Sequence, residues 1–185
     1  MQPVKRIFIG LPVDDQLSQM LSTISEPQTG VRWIPGRNLH LTLEFLGPTS
    51  DNQIEVLDYW LQEINQSPIV LDITGLACFP NLRRPRVIAL AMRSTEALAL
   101  FHAAVRDAAQ ATGISLKPSR LSPHITVARL RSPPTSWLRE YLERHEQHIF
   151  SSVRYASERF HLYESTLTAN GARYSILGSY PLTDR

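Results

Sequence analysis

The sequence predicts an α+β fold of two pseudo-symmetric lobes, with antiparallel-rich sheets facing a central cleft and helices outside. Three observations predict it. Alternating apolar runs and helical stripes follow one another as strand-helix-strand-helix-strand, then as strand-helix-strand-helix-strand-strand. Each series carries one His-x-Thr run, at His40-Leu41-Thr42-Leu43 and at His124-Ile125-Thr126-Val127. No linker or low-complexity segment interrupts the 185 residues, so a single bilobal unit over 1–185 is expected.

Lys5 to Leu11 reads as the first strand. Asp14 or Asp15 then opens a helix, because an acidic side chain is favoured at a helix N-terminus. Leu17, Met20, Leu21 and Ile24 give that helix its apolar stripe, and Pro27 and Gly30 end the segment. Val31-Arg32-Trp33-Ile34 leads through Pro35-Gly36 into the first His-x-Thr strand, Asn38 to Phe45, which Gly47-Pro48 closes. Ser50 or Asp51 caps a second helix, with Ile54, Leu57, Leu61 and Ile64 as its stripe and Trp60 beside it. Pro68 to Leu76 and Arg86 to Met92 are strands, and the basic loop Pro80 to Pro85 between them is expected as a solvated turn. Thr95 caps a third helix that buries Leu98, Phe101, Val105, Ala108 and Ala109, leaving His102 on its surface; Gly113 ends it. After the second His-x-Thr strand, Pro133-Pro134 opens a short helix to about His145, with Trp137, Leu138, Tyr141 and Leu142 on one side. The tail reads as strands at about Phe150 to Arg154, Arg159 to Ser165 and Tyr174 to Leu182, with Gly171 at the last turn.

Composition narrows the function classes. A hydrophobic fraction of 43% and a charged fraction of 19% are those of a soluble globular protein. The lone cysteine, Cys78, has no partner for an internal disulfide, which fits a reducing cytoplasm and argues against a structural zinc site. The apolar run Ile7 to Leu11 is too short for a signal peptide, and no stretch reaches the ~20 apolar residues of a membrane span. A net charge of +2 excludes a sequence-independent coating of nucleic acid. Arg accounts for 17 of the 19 basic residues, a skew that suits bidentate phosphate contacts but that composition bias explains equally well.

Side chains two apart on a strand share a face, so each His projects with its Thr while the intervening Leu or Ile points into the core. Two such strands across a cleft would bring two His-Thr pairs around one phosphate. Imidazole, with an ordinary pKa near ~6.5, serves as acid or base at neutral pH, and Thr hydroxyls can donate to non-bridging oxygens. Phe45 and Arg129 both lie five residues after a His, where strict alternation points them away from it; to reach the cleft, each strand must bulge or end first. His145 and His148 flank a helix end, His161 reads as structural, with a third imidazole lining the groove as the alternative, and Tyr163 fits the cleft or the core equally. No His-x-x-x-His spacing suggests a metal.

The chain resembles the RNA 2′,3′-cyclic phosphodiesterases, long called 2′-5′ RNA ligases, of the two-histidine phosphoesterase superfamily. The resemblance runs through Arg6-Ile7-Phe8-Ile9, Val31-Arg32-Trp33, Asn38 to Gly47, Pro85-Arg86-Val87-Ile88, Ser122 to Arg129, Leu162-Tyr163-Glu164-Ser165 and Gly171-Ala172-Arg173-Tyr174. One departure is Leu121, where related sequences often have an aromatic residue. The resemblance implies hydrolysis of RNA 2′,3′-cyclic phosphate ends to 2′-phosphomonoesters without metal or cofactor. It implies His40 as proton donor, His124 as the base that activates water, Thr42, Thr126 and Arg129 on the phosphate, and Phe45 against a base or sugar. The implied partner is RNA with a cyclic phosphate terminus, or a small cyclic nucleotide, and a monomer suffices. Reverse 2′-5′ ligation is secondary. A non-catalytic RNA-end binder is the rival from another class, though a binder needs no acid and base.

Overall fold

The computed structural model describes residues 4–118, 120–146, 154–169 and 171–183. Among them the element order is β1 (Val4–Pro12), α1 (Asp15–Thr23), β2 (Val31–Trp33), a 3-10 turn (Gly36–Asn38), β3 (His40–Ser50), α2 (Asp51–Gln62) and β4 (Ile69–Phe79). Then come β5 (Val87–Met92), α3 (Glu96–Ala111), β6 (His124–Leu130), α4 (Thr135–Glu146), β7 (Arg154–Ser157), β8 (Arg159–Thr168) and β9 (Gly171–Pro181). The helix starts follow the expected caps. Asp14 accepts from the Leu17 amide, Ser50 and Gln53 form a reciprocal capping box, and Thr95 accepts from the Leu98 amide.

The strands join into one curled antiparallel sheet in the order β7-β4-β5-β6-β3-β1-β8-β9, with β2 also beside β6. The two expected lobes are its two wings, and they meet where β3 pairs with β6 at Leu41 and Ile125. These are equivalent positions, each following its His, so the local symmetry axis passes between them. The wings are not the sequence halves. β4 leaves the first half to pair with β5, and β8 leaves the second half to pair with β1. Each half thus lends its third long strand to the other wing.

Leu41 and Ile125 are fully buried, as are Ile9, Leu11, Ile88 and Leu90 on the neighbouring strands. The same core takes Leu57 and Leu61 of α2 and Leu98, Phe101 and Val105 of α3. Helices therefore cover one face of the sheet, and the His-Thr face is left open.

Several expectations change. β3 does not stop at Gly47-Pro48 but runs on to Ser50; at that end it pairs only with β1, an edge position where a proline is tolerated. Val31–Trp33 is itself a strand, held by β6. β4 continues to Phe79, beyond the expected end at Leu76. His102 is not on the surface of α3: it is buried against Glu44, which also binds Arg106. Of the strand expected at Phe150 to Arg154, only Arg154 is among the described residues; it begins β7. His148 also lies outside them. The loop after β4 is an exposed turn in which the Asn81 side chain accepts from the amides of Arg83 and Arg84.

Candidate active site

The floor of the cleft is set by strand register. The Leu41–Ile125 pair places His40 toward Thr126 and Thr42 toward His124, all four on the face opposite the buried Leu and Ile. The flanking positions are small: Gly10 pairs with Thr42, Ala89 with Thr126 and Ala91 with His124. A Cβ on Gly10 would stand 2.8 Å from the Leu41 carbonyl oxygen, so close strand approach beside His40 needs glycine there.

Both strands then break alternation at the same place. On β3, Glu44 pairs with Ile9 and Thr42 with Gly10, so Leu43 is an extra residue. On β6, Ala128 pairs with Ile88 and Thr126 with Ala89, so Val127 is extra. The burial patterns agree: 43 and 44 are both buried, as are 127 and 128, and the next residue in each case is exposed. These twin bulges turn Phe45 and Arg129 onto the His-Thr face. Phe45 lies opposite Phe8, with ring centroids 5.7 Å apart, and keeps 68% of its surface exposed.

The imidazoles are held alike. His40 Nδ1 lies 2.7 Å from the Asn38 carbonyl and His124 Nδ1 lies 2.8 Å from the Ser122 carbonyl, each two residues upstream. A carbonyl only accepts, so Nδ1 carries the proton and Nε2 is the nitrogen left to exchange one. The exchanged strands supply an aromatic ring to each: Phe79 of β4 stacks on His124 at 4.6 Å, and Tyr163 of β8 stands 5.8 Å from His40.

The surroundings then diverge. Phe8 and Tyr174 also pack on His40, at 4.7 and 5.1 Å. Desolvation by this wall pulls the His40 pKa down to about 4; the hydrogen bond to Asn38 opposes the fall, and nearby His124 and Arg129 add to it. His161 faces Gly10 from β8 and is buried, which lowers its pKa. Tyr163 is also buried, raising its phenol pKa. Among the described residues, no three His, Cys, Asp or Glu side chains converge as a metal site would require.

The structure therefore brings His40, Thr42, Phe45, His124, Thr126 and Arg129 to one face. Sequence reasoning missed Phe8, Phe79 and Tyr174. Phe8 was accessible in principle, because it shares alternation with Gly10 and Pro12 on β1; Phe79 and Tyr174 reach the site only through long-range pairing.

Comparison with known proteins agrees with this duplicated geometry. The model of the LigT-like phosphoesterase family matches twice, over residues 9–89 and 90–174. A Thermotoga maritima protein described as RNA 2′,3′-cyclic phosphodiesterase is 29% identical, covering 93% of this chain and 92% of its own. An Aquifex aeolicus protein of the same description is 28% identical, covering 97% and 98%. The crystal structure of Escherichia coli LigT in apo form superposes with a TM-score of 0.76 at 24% identity, covering 99% of this chain and all of that one. That protein has also been solved with 3′-AMP.

Proposed function

The chain belongs to the LigT-like phosphoesterase family, and from that premise we propose that it hydrolyses RNA 2′,3′-cyclic phosphate ends to 2′-phosphomonoesters. The observation that carries the reading is the pairing of two His-x-Thr strands about Leu41 and Ile125, with both Nε2 atoms left for chemistry. The named relatives and the 3′-AMP complex of E. coli LigT support the substrate class.

The chemistry uses the chain's own groups. Neutral His124 takes a proton from water through Nε2 as the water oxygen bonds to phosphorus. The P–O3′ bond breaks in line, and protonated His40 gives its Nε2 proton to the leaving 3′ oxygen, so the phosphate stays on the 2′ oxygen. Thr42, Thr126 and Arg129 hold the non-bridging oxygens, where charge builds. The low proton affinity of His40 fits the acid role on two grounds. The conjugate acid of a weakly basic imidazole is a strong proton donor, and a bound phosphate anion supplies a countercharge to it. The reaction needs no metal or cofactor, and a cytoplasmic monomer suffices. Reverse 2′-5′ joining uses the same two groups with roles exchanged.

The test is turnover of a short RNA cyclic phosphate in excess EDTA. Wild type yields a 2′-phosphate, and His40→Ala and His124→Ala each lose about 10²-fold or more. A substrate with sulfur as the bridging 3′ atom needs no acid, so it rescues His40→Ala and leaves His124→Ala slow. Rescue of the other variant reverses the role assignment. Binding without cleavage, or cleavage independent of both histidines, overturns the reading, and a panel including mononucleoside cyclic phosphates separates RNA from small cyclic nucleotides.

A further inference from the structure

Arg129 does not mark the end of the cleft. On the side away from β5, β6 pairs with β2, and Arg32 lies directly opposite Arg129. Arg37 of the 3-10 turn and Arg173 of β9, both exposed, line the same basin, a cavity of about 720 Å³. That volume is typical of a ligand site. Among the described residues lining it there is no Asp or Glu. The Arg32 guanidinium lies 2.7 Å from where a Cβ on Gly171 would stand, so the bare backbone of the β8–β9 hairpin makes room for it.

The basin shares a wall with the catalytic floor. Asn38 and Tyr174 line it; Asn38 also holds His40 through its carbonyl, and the Tyr174 ring stands edge-on to the His40 ring. The Asn38 side-chain amide donates to the Ala172 carbonyl at 3.0 Å and ties the two sides together. Arg37, Arg129 and Arg173 line this basin, no Asp or Glu stands among its described lining residues, and the planar forks of arginine match phosphate, so the basin suits an anion. A ribose whose 2′ and 3′ oxygens are both in the cyclic phosphate has its 5′ oxygen left to carry another.

We propose that this basin binds the phosphate on the 5′ oxygen of the cyclic-phosphate nucleotide, so that the enzyme reads two successive phosphates. The inference rests on the cyclic-phosphate reading above. Its test compares kcat/KM for a mononucleoside 2′,3′-cyclic phosphate, the same nucleotide with a 5′-phosphate, and a dinucleotide with a cyclic phosphate end. The variants are Arg37→Ala and Arg173→Ala, exposed positions where folding is spared. Wild type favours the two 5′-phosphorylated substrates, and each variant loses about tenfold on them while staying within about twofold on the unphosphorylated one. A methylphosphonate at the dinucleotide linkage removes the preference in wild type and changes little further in the variants. The order of the two phosphorylated substrates tells an RNA chain from a free nucleotide as the source. Equal use of all three substrates by wild type, or a preference unmoved by both variants, overturns the inference. No turnover of any substrate instead overturns the cyclic-phosphate reading beneath it.

Discussion

The desolvated setting of His40 makes a prediction about stability as well as catalysis. Its pKa falls from 6.5 to about 4 in the folded protein, mainly through burial. The unfolded chain keeps the ordinary value, so below pH 6.5 the unfolded state binds this proton more readily than the folded state does. Above pH 6.5 both forms are neutral and the group has no effect. As pH drops from 6.5 to 4, stability is lost progressively, and below 4 the loss is complete. A fall of this size is worth about 3 kcal/mol. Urea denaturation of wild type and His40→Gln between pH 7.5 and 4 measures it: the variant lacks this part of the acid destabilisation, while contributions of the histidines remote from His40 cancel in the difference. NMR of the His40 ring nitrogens gives the same titration directly, and inorganic phosphate or a nucleoside 2′-monophosphate moves it upward. A His40 that titrates near 6.5, or identical pH dependence in the two proteins, refutes the argument that the aromatic wall sets its proton affinity.

Three further outcomes follow from the same geometry. Phe45→Ala raises KM for RNA ends by about tenfold, the scale of one lost base stack, and leaves the urea midpoint nearly unchanged because the ring is 68% exposed. Glu44→Ala removes the buried carboxylate shared by buried His102 and half-buried Arg106 and lowers unfolding free energy by about 3 kcal/mol, read by urea denaturation. Gly10→Ala drives a Cβ against the Leu41 carbonyl, costs about 1–3 kcal/mol in stability and reduces kcat by displacing the strand that carries His40 and Thr42.

Much of this was legible in the chain because it is local. Helix caps, apolar stripes and the two His-x-Thr runs depend on neighbours within a few residues, and Asp14, Ser50 and Thr95 cap where their spacing says. Phe45 and Arg129 were harder. Period-two alternation points them away from their histidines, and only a paired strand reveals a bulge. His102 was misread for a related reason. Beside Phe101 on a helix it looks solvent-facing, but the bulge that turns Phe45 outward sends Glu44 inward, and the buried carboxylate draws His102 and Arg106 to it. Exchange of β4 and β8 between wings has no local signature either, so Phe79 could not be placed beside His124 from sequence.

The scaffold is symmetric where the proposed chemistry needs two identical groups and asymmetric where it needs them to differ. Register, bulge and the upstream carbonyl that fixes each Nδ1 are duplicated. The residues turned in by the bulges are not: one is an aromatic ring and the other a guanidinium. The strands beside the histidines differ as well, since Phe8 packs on His40 while Val87 holds the matching place on β5. A duplicated pair in equal surroundings would have two imidazoles of equal proton affinity, with no reason for one to give while the other takes. The aromatic wall around His40 breaks that degeneracy at little cost to the floor, because it is built from the outer strands β1, β8 and β9 rather than from the two that hold the histidines. In the proposed mechanism, acid and base would be distinguished by what lies beside the paired strands, and a change to Phe8 or Tyr174 should shift the His40 titration without moving either imidazole's backbone.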